Sequence, residues 1–185
     1  MDLSYLDLKT MTMLARIDPA WQPIRDRSLK ILLQGTRRNG FYFDKYDVRE
    51  KRYYDQEKNF INQLICAIHL AEAGEPVKTF FDFLLKEWHN RSRLLGGYDS
   101  GTRKGSVTYE STAVYALALR LALVTNNTGF ARAMKDRIRE LASEQRNPLW
   151  KGSFCKYSCH AFDHLQALLS FILSSESSKR GELSP

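Results

Sequence analysis

The stretch GGYDSGTRKGSVTYESTAVYALALRLALV, Gly96 to Val124, decides how the chain is read. A loop of glycine, tyrosine, aspartate and arginine runs straight into the most apolar helical segment of the sequence, with Tyr109 and Glu110 at the joint. One capping serine suffices to start a helix. The polar segment before this one carries side chains suited to a sugar or another hydroxyl-rich ligand.

The same order occurs on either side. Helical periodicity covers Tyr5 to Ala15 and Trp21 to Leu33, joined by the tight RIDPA connection in which Pro19 suits a helix first turn. A long aromatic and polar segment follows, with an Asn39-Gly40 turn signal and Phe41, Phe43 and Tyr53 placed to form a short ribbon. Glu57 to Ala73, Val77 to His89, Glu110 to Val124, Phe130 to Leu141 and His160 to Leu173 then read as helices. Helices opening near residues 5, 57, 110 and 160 recur about every fifty residues, the length of a helical hairpin plus its loop. The first helix of each unit is apolar nearly all round and the second is amphipathic, as in an inner layer enclosed by an outer one.

The expected fold is therefore all-α, with helical hairpins of an (α/α)6 toroid; three hairpins and one further helix make about half of a full toroid. An open solenoid is the other arrangement such hairpins adopt. The long, unequal loops favour the toroid, with residues 1–174 as a partial toroid domain and 175–185 as a disordered tail.

Composition narrows the function. A chain of 185 residues with 43% hydrophobic residues buries one sizeable core. Its net charge of +7 is spread from Lys9 to Arg180 among acidic residues, so nucleic acid is not an expected partner. Three cysteines make no disulfide framework. Cys155, Cys159 and His160 offer three zinc ligands without a second cluster to complete a site, so neither a metal nor another cofactor is expected. His69 reads as a core histidine, and His160 with His164 as packing. No apolar run reaches the ~18 residues of a membrane span, and MDLSYLDLKTM lacks the pattern of a signal peptide. Compartment is left unassigned. Hydrolase-triad, P-loop and dinucleotide fingerprints are absent from the sequence.

The N-terminal ends of the inner helices, where free backbone N–H groups favour hydroxyl-rich ligands, carry aromatics interleaved with carboxylates. Tyr5, Asp55, Tyr98, Asp99 and Tyr109 are the expected ligand contacts and Glu110 the expected catalytic carboxylate. Each carboxylate has a second reading as a helix-start charge, and each tyrosine as packing beneath a loop. Trp150 in NPLWKGSF is a further cleft candidate.

Three ordered segments carry a resemblance: SYLDLKTMTML with IDPAWQPIRDRSLKIL, YDQEKNFINQLICAIHLAEAGEP, and GGYDSGT with VTYESTAVYALALRLALVTNN. Over residues 2 to 173 the chain resembles the C-terminal half of bacterial family 8 glycoside hydrolases, the endoglucanase-like six-hairpin glycosidases. The resemblance implies a toroid and inverting hydrolysis of β-1,4-linked polysaccharides, members often being secreted. Inversion takes a carboxylic acid and a water-activating carboxylate set roughly 6.5–9.5 Å apart. The family's acid lies in the N-terminal half, which this chain lacks. Its base lies in a Tyr-Asp-Ala-x-Arg segment, matched here by Tyr109-Glu110-Ser111-Thr112-Ala113 with Glu for Asp and Ala113 for Arg, or at a position offset by one hairpin. The expectation is a fragment with little activity of its own, whose partners are an oligo- or polysaccharide and either a missing N-terminal half or a second copy on the exposed toroid face. A carbohydrate-binding remnant and a helical scaffold for a protein partner are the alternatives.

Overall fold

The computed structural model describes residues 1–55, 59–143, 153, 154 and 160–182. It separates into two compact units: Met1–Arg93 with Gly97–Thr108, and Leu94–Gly96 with Tyr109–Pro185. Both are built from helices, so the all-α helical-hairpin reading holds.

In the first unit a 3-10 turn, Leu3–Tyr5, leads into α1, Leu8–Ala15. Asp7 begins that helix by accepting from the Thr10 backbone N–H at 2.9 Å and its hydroxyl at 2.7 Å. The helix expected to start at Tyr5 is thus shorter by one turn, because Asp7 caps it. A tight connection leads to α2, Trp21–Gln34. Pro19 lies in that connection, not in the helix, while Pro23 occupies the first turn, where no intrahelical donor is missed.

A two-stranded ribbon follows, β1 at Lys45–Asp47 and β2 at Arg52–Tyr54, antiparallel with Tyr46 opposite Tyr53. Asp47 closes its turn by accepting the N–H groups of Arg49 and Glu50 at 2.8 and 2.9 Å. These bonds hold the Asp47 carboxyl below the usual carboxylate range. The ribbon lies just beyond Phe41 and Phe43, which were expected within it: Phe41 is buried, at 5.0 Å from Phe83 and 5.5 Å from Phe80.

The apolar helix α3 runs Phe60–Glu72, capped by Asn59, and α4 runs Lys78–Arg91. Gly74, at φ +84°, makes the turn between them. His69 sits in the core as expected, with Nε2 at 3.0 Å from the Ser4 carbonyl. Gln63 fixes the segment before the ribbon to α3: its Oε1 accepts the Tyr42 N–H at 2.7 Å and its Nε2 donates to the Tyr42 carbonyl at 3.0 Å. At Gly40, φ is +90° and an added Cβ meets the Phe80 backbone nitrogen at 2.7 Å. Gly40→Ala is accordingly expected to cost about 2 kcal/mol in urea unfolding.

In the second unit α5 spans Thr112–Val124, α6 Thr128–Ser143 and α7 Ala161–Glu182. The expected all-round apolarity of α5 corresponds to burial of every residue from Thr112 to Leu119. The donors at its N-terminal end are met by a neighbouring helix: Asp163 on α7 accepts from the Ala113 N–H and the Ser111 hydroxyl, both at 2.9 Å. Helix α7 continues to Glu182, through most of the segment expected as a tail from residue 175.

Candidate functional site

The first unit holds a cavity of about 380 Å³ lined by Met1, Lys45, Tyr46, Asp47, Tyr54 and Asp55. The ribbon supplies most of its wall. Strand alternation puts Tyr46 and Tyr53 opposite one another, with ring centroids 4.8 Å apart, and Tyr53 is anchored through its hydroxyl to the Ile31 carbonyl at 2.8 Å. Tyr54 donates its hydroxyl to Glu50, a bond that raises its pKa.

Asp55 follows β2 directly. Its side chain is 48% exposed and accepts a hydrogen bond from Arg37 Nη2. The Arg37 guanidinium is in turn held over the Phe43 ring, 4.0 Å from its centroid. A carboxylate thus sits at the rim of an aromatic-walled cavity, fixed by a charge-assisted bond yet open to solvent. Such a wall can stack on a sugar face while the carboxylate takes its hydroxyls or a water.

Of the other expected ligand contacts, Tyr5 is open to solvent, being 79% exposed. Tyr98 is not: it is 2% exposed, its ring 4.5 Å from Phe60 and 5.1 Å from Phe83. That reading is corrected, because the aromatic core of the first unit takes the ring. Asp99 turns inward on its own loop, accepting from the Thr102 N–H at 2.8 Å and hydroxyl at 2.9 Å. Tyr109 is 60% exposed, but its ring lies against Gly96 and leaves no room for a Cβ there.

Glu110 is engaged in structure. Arg137 on α6 reaches it with Nε at 3.1 Å and Nη2 at 2.9 Å from both oxygens, and the Tyr115 hydroxyl donates to it as well. Burial, then the bond to Glu110, pushes the Tyr115 hydroxyl well up from its ordinary pKa. Tyr115 also takes the Leu94 N–H at 2.9 Å. Glu110 therefore ties α5, α6 and, through Tyr115, the Leu94–Gly96 segment together, with only a fifth of its side chain exposed. Both carboxylate oxygens of Glu110 are thus engaged by Arg137.

The sequence reading passed over Arg37, Lys45, Tyr46 and Asp47. The available signal was the Lys45-Tyr46-Asp47 and Arg52-Tyr53-Tyr54 alternation about a turn. Among the described residues no group of three or more His, Cys, Asp or Glu side chains is placed to hold a metal ion, and no helix is long and apolar enough to cross a membrane. Trp150, Cys155 and Cys159 lie outside the described residues.

No protein-family model matches the chain. YdaJ of Bacillus subtilis (strain 168) is 30% identical over 171 residues, spanning 91% of this chain and 47% of YdaJ. Two solved structures share the fold. A protein described as a novel alpha-amylase from Clostridium perfringens superposes with a TM-score of 0.85 at 23% identity, over 94% of this chain and 54% of that one. PssZ from Listeria monocytogenes superposes with a TM-score of 0.67 at 23% identity, over 92% of this chain and 50% of PssZ. The chain shares the helical fold of these two structures and spans about half the length of the proteins it matches.

Proposed function

We propose that residues 1–174 form the C-terminal part of an (α/α)6 toroid glycoside hydrolase of the bacterial family 8 kind, in which the cavity beside Asp55 is part of a polysaccharide cleft. The observation that carries the reading is Asp55 itself. It is an exposed carboxylate at the approach to an apolar helix, beside Tyr46 and Tyr54, on a fold shared with a protein described as an alpha-amylase.

We assign to Asp55, in place of Glu110, the activation of water. The sequence supports this as well, since Tyr54-Asp55-Gln56-Glu57-Lys58 keeps the Tyr-Asp order and a basic residue at the fifth place, one hairpin before Tyr109-Glu110. Arg37 holds the carboxylate oriented, and the tyrosines stack on the sugar. The proton for the leaving oxygen comes from a carboxylic acid outside this chain, so the chain alone binds glycan and turns it over poorly.

The glycan we assign is β-1,4-linked, by the family 8 resemblance. Titrating the chain with cello-, xylo- and malto-oligosaccharides, with tyrosine side-chain NMR as readout, tests both parts of the reading. Saturable binding of a β-linked series that shifts Tyr46 and Tyr54 is expected. Preference for the malto series would move the linkage to that of an amylase, and no saturable binding by any of them would remove the glycan reading.

A further inference from the structure

Asp55 is oriented by Arg37, and the place of Arg37 has a cause of its own. The Arg37 side chain is 23% exposed, and its Nε is buried with no hydrogen-bond partner among the described residues. Hydrogen bonds alone therefore do not fix it, since a buried donor is ordinarily met. Its bond to the half-exposed Asp55 is of a kind that holds two side chains weakly. The remaining contact is the Phe43 ring, whose centroid lies 4.0 Å from the guanidinium carbon. The negative face of a ring attracts a cation at that distance, and more strongly where water is excluded.

The backbone makes the two side chains neighbours. The Arg37 N–H donates to the Phe41 carbonyl at 2.7 Å, the Phe43 N–H donates to the Gly35 carbonyl at 2.9 Å, and Thr36 bridges Tyr42 in antiparallel register between them. Phe43 is backed by Tyr53 at 5.4 Å, and Tyr53 by Tyr46 of the cavity wall at 4.8 Å. A row of rings thus runs from the guanidinium to the cavity, with Tyr53 anchored at its centre by the Ile31 carbonyl.

We infer that Phe43 is a positioning residue: the face of its ring holds Arg37 where the guanidinium donates to Asp55, so a ring outside the cavity lining sets the affinity for glycan. This role rests on Asp55 meeting the glycan, as proposed above.

Replacing Phe43 with mono-, di- and trifluorinated phenylalanine withdraws electron density from the ring face at almost constant volume, which separates attraction for a cation from packing. Two quantities are read in each chain: exchange of the Arg37 Nε–H with water by NMR, without ligand, and affinity for cellopentaose and maltopentaose by calorimetric titration. Each added fluorine is expected to hasten the exchange and to weaken binding, by about tenfold in all for the trifluorinated ring, with an unchanged helical circular dichroism spectrum. Phe43→Tyr keeps both properties, and Phe43→Leu, which supplies bulk without a ring, loses both. In the Asp55→Asn chain the fluorine series leaves the remaining affinity unchanged, because Arg37 then has no carboxylate to place. A flat series, with leucine serving as well as phenylalanine, overturns the inference, as does an affinity that falls equally in the Asp55→Asn chain. A parent chain that binds neither sugar removes the glycan reading of Asp55 and the part of Phe43 in it, while the Arg37 exchange still decides whether the ring holds the guanidinium.

Discussion

Glu110→Ala lowers the unfolding free energy by about 3–5 kcal/mol, the loss seen when one partner of a buried ion pair is removed. The size follows from what is left behind. Arg137, four-fifths buried, loses its bonds to Glu110 and keeps that to the exposed Glu140, at 2.9 Å. The Tyr115 hydroxyl loses an acceptor inside the core, which adds a desolvation cost of the kind that unmet buried groups carry. Urea unfolding followed by circular dichroism reads the change. A cycle combining Glu110→Ala with Arg137→Met separates the pair from the packing, and the double variant is expected to be more stable than the sum of the two single losses predicts. A loss below 1 kcal/mol would mean that Glu110 is not the tie it is described to be.

Asp55→Asn behaves in the opposite way. Its bond to Arg37 is half-exposed, and such surface pairs contribute only about 0–1 kcal/mol, so the fold is expected to survive unchanged. Function is where the loss falls. In a complete protein that carries the general acid, turnover of a β-1,4 glycan is expected to drop by about 10²–10⁴, the contribution of a positioned general base. The Michaelis constant is expected to rise as well, because asparagine offers sugar hydroxyls one acceptor oxygen where the carboxylate offers two, and it cannot take a proton. Equal turnover by Asp55→Asn and the parent would exclude it as the base.

Much of the helical architecture was legible in the sequence, and the reason is physical. Apolar residues repeating at helical spacing in FINQLICAIHLA and AVYALALRLALV specify α3 and α5 whatever surrounds them. Element ends were less legible where a side chain decides them locally, as Asp7 does for α1 and Asn59 for α3. The site was legible in kind and not in place. The presence of Tyr and carboxylate side chains at the helix approaches was visible, but which of them face solvent depends on partners distant in sequence. Tyr98 is drawn into the core by Phe60 and Phe83, and Glu110 is taken by an arginine 27 residues away. Arg37 reaches Asp55 across 18 residues, a pairing that no local pattern announces.

The central claim is that the two carboxylates have separate roles, Glu110 in holding the fold and Asp55 in meeting the glycan. The most direct measurement takes Glu110→Gln and Asp55→Asn side by side and records, for each, the urea midpoint and the affinity for the oligosaccharide that the parent chain binds. A crossed result is expected: Glu110→Gln unfolds at lower urea and binds as the parent does, while Asp55→Asn unfolds as the parent does and loses the carboxylate-dependent part of its affinity. A stable Glu110→Gln that no longer binds, beside an Asp55→Asn that binds normally, would contradict it and return the ligand to Glu110.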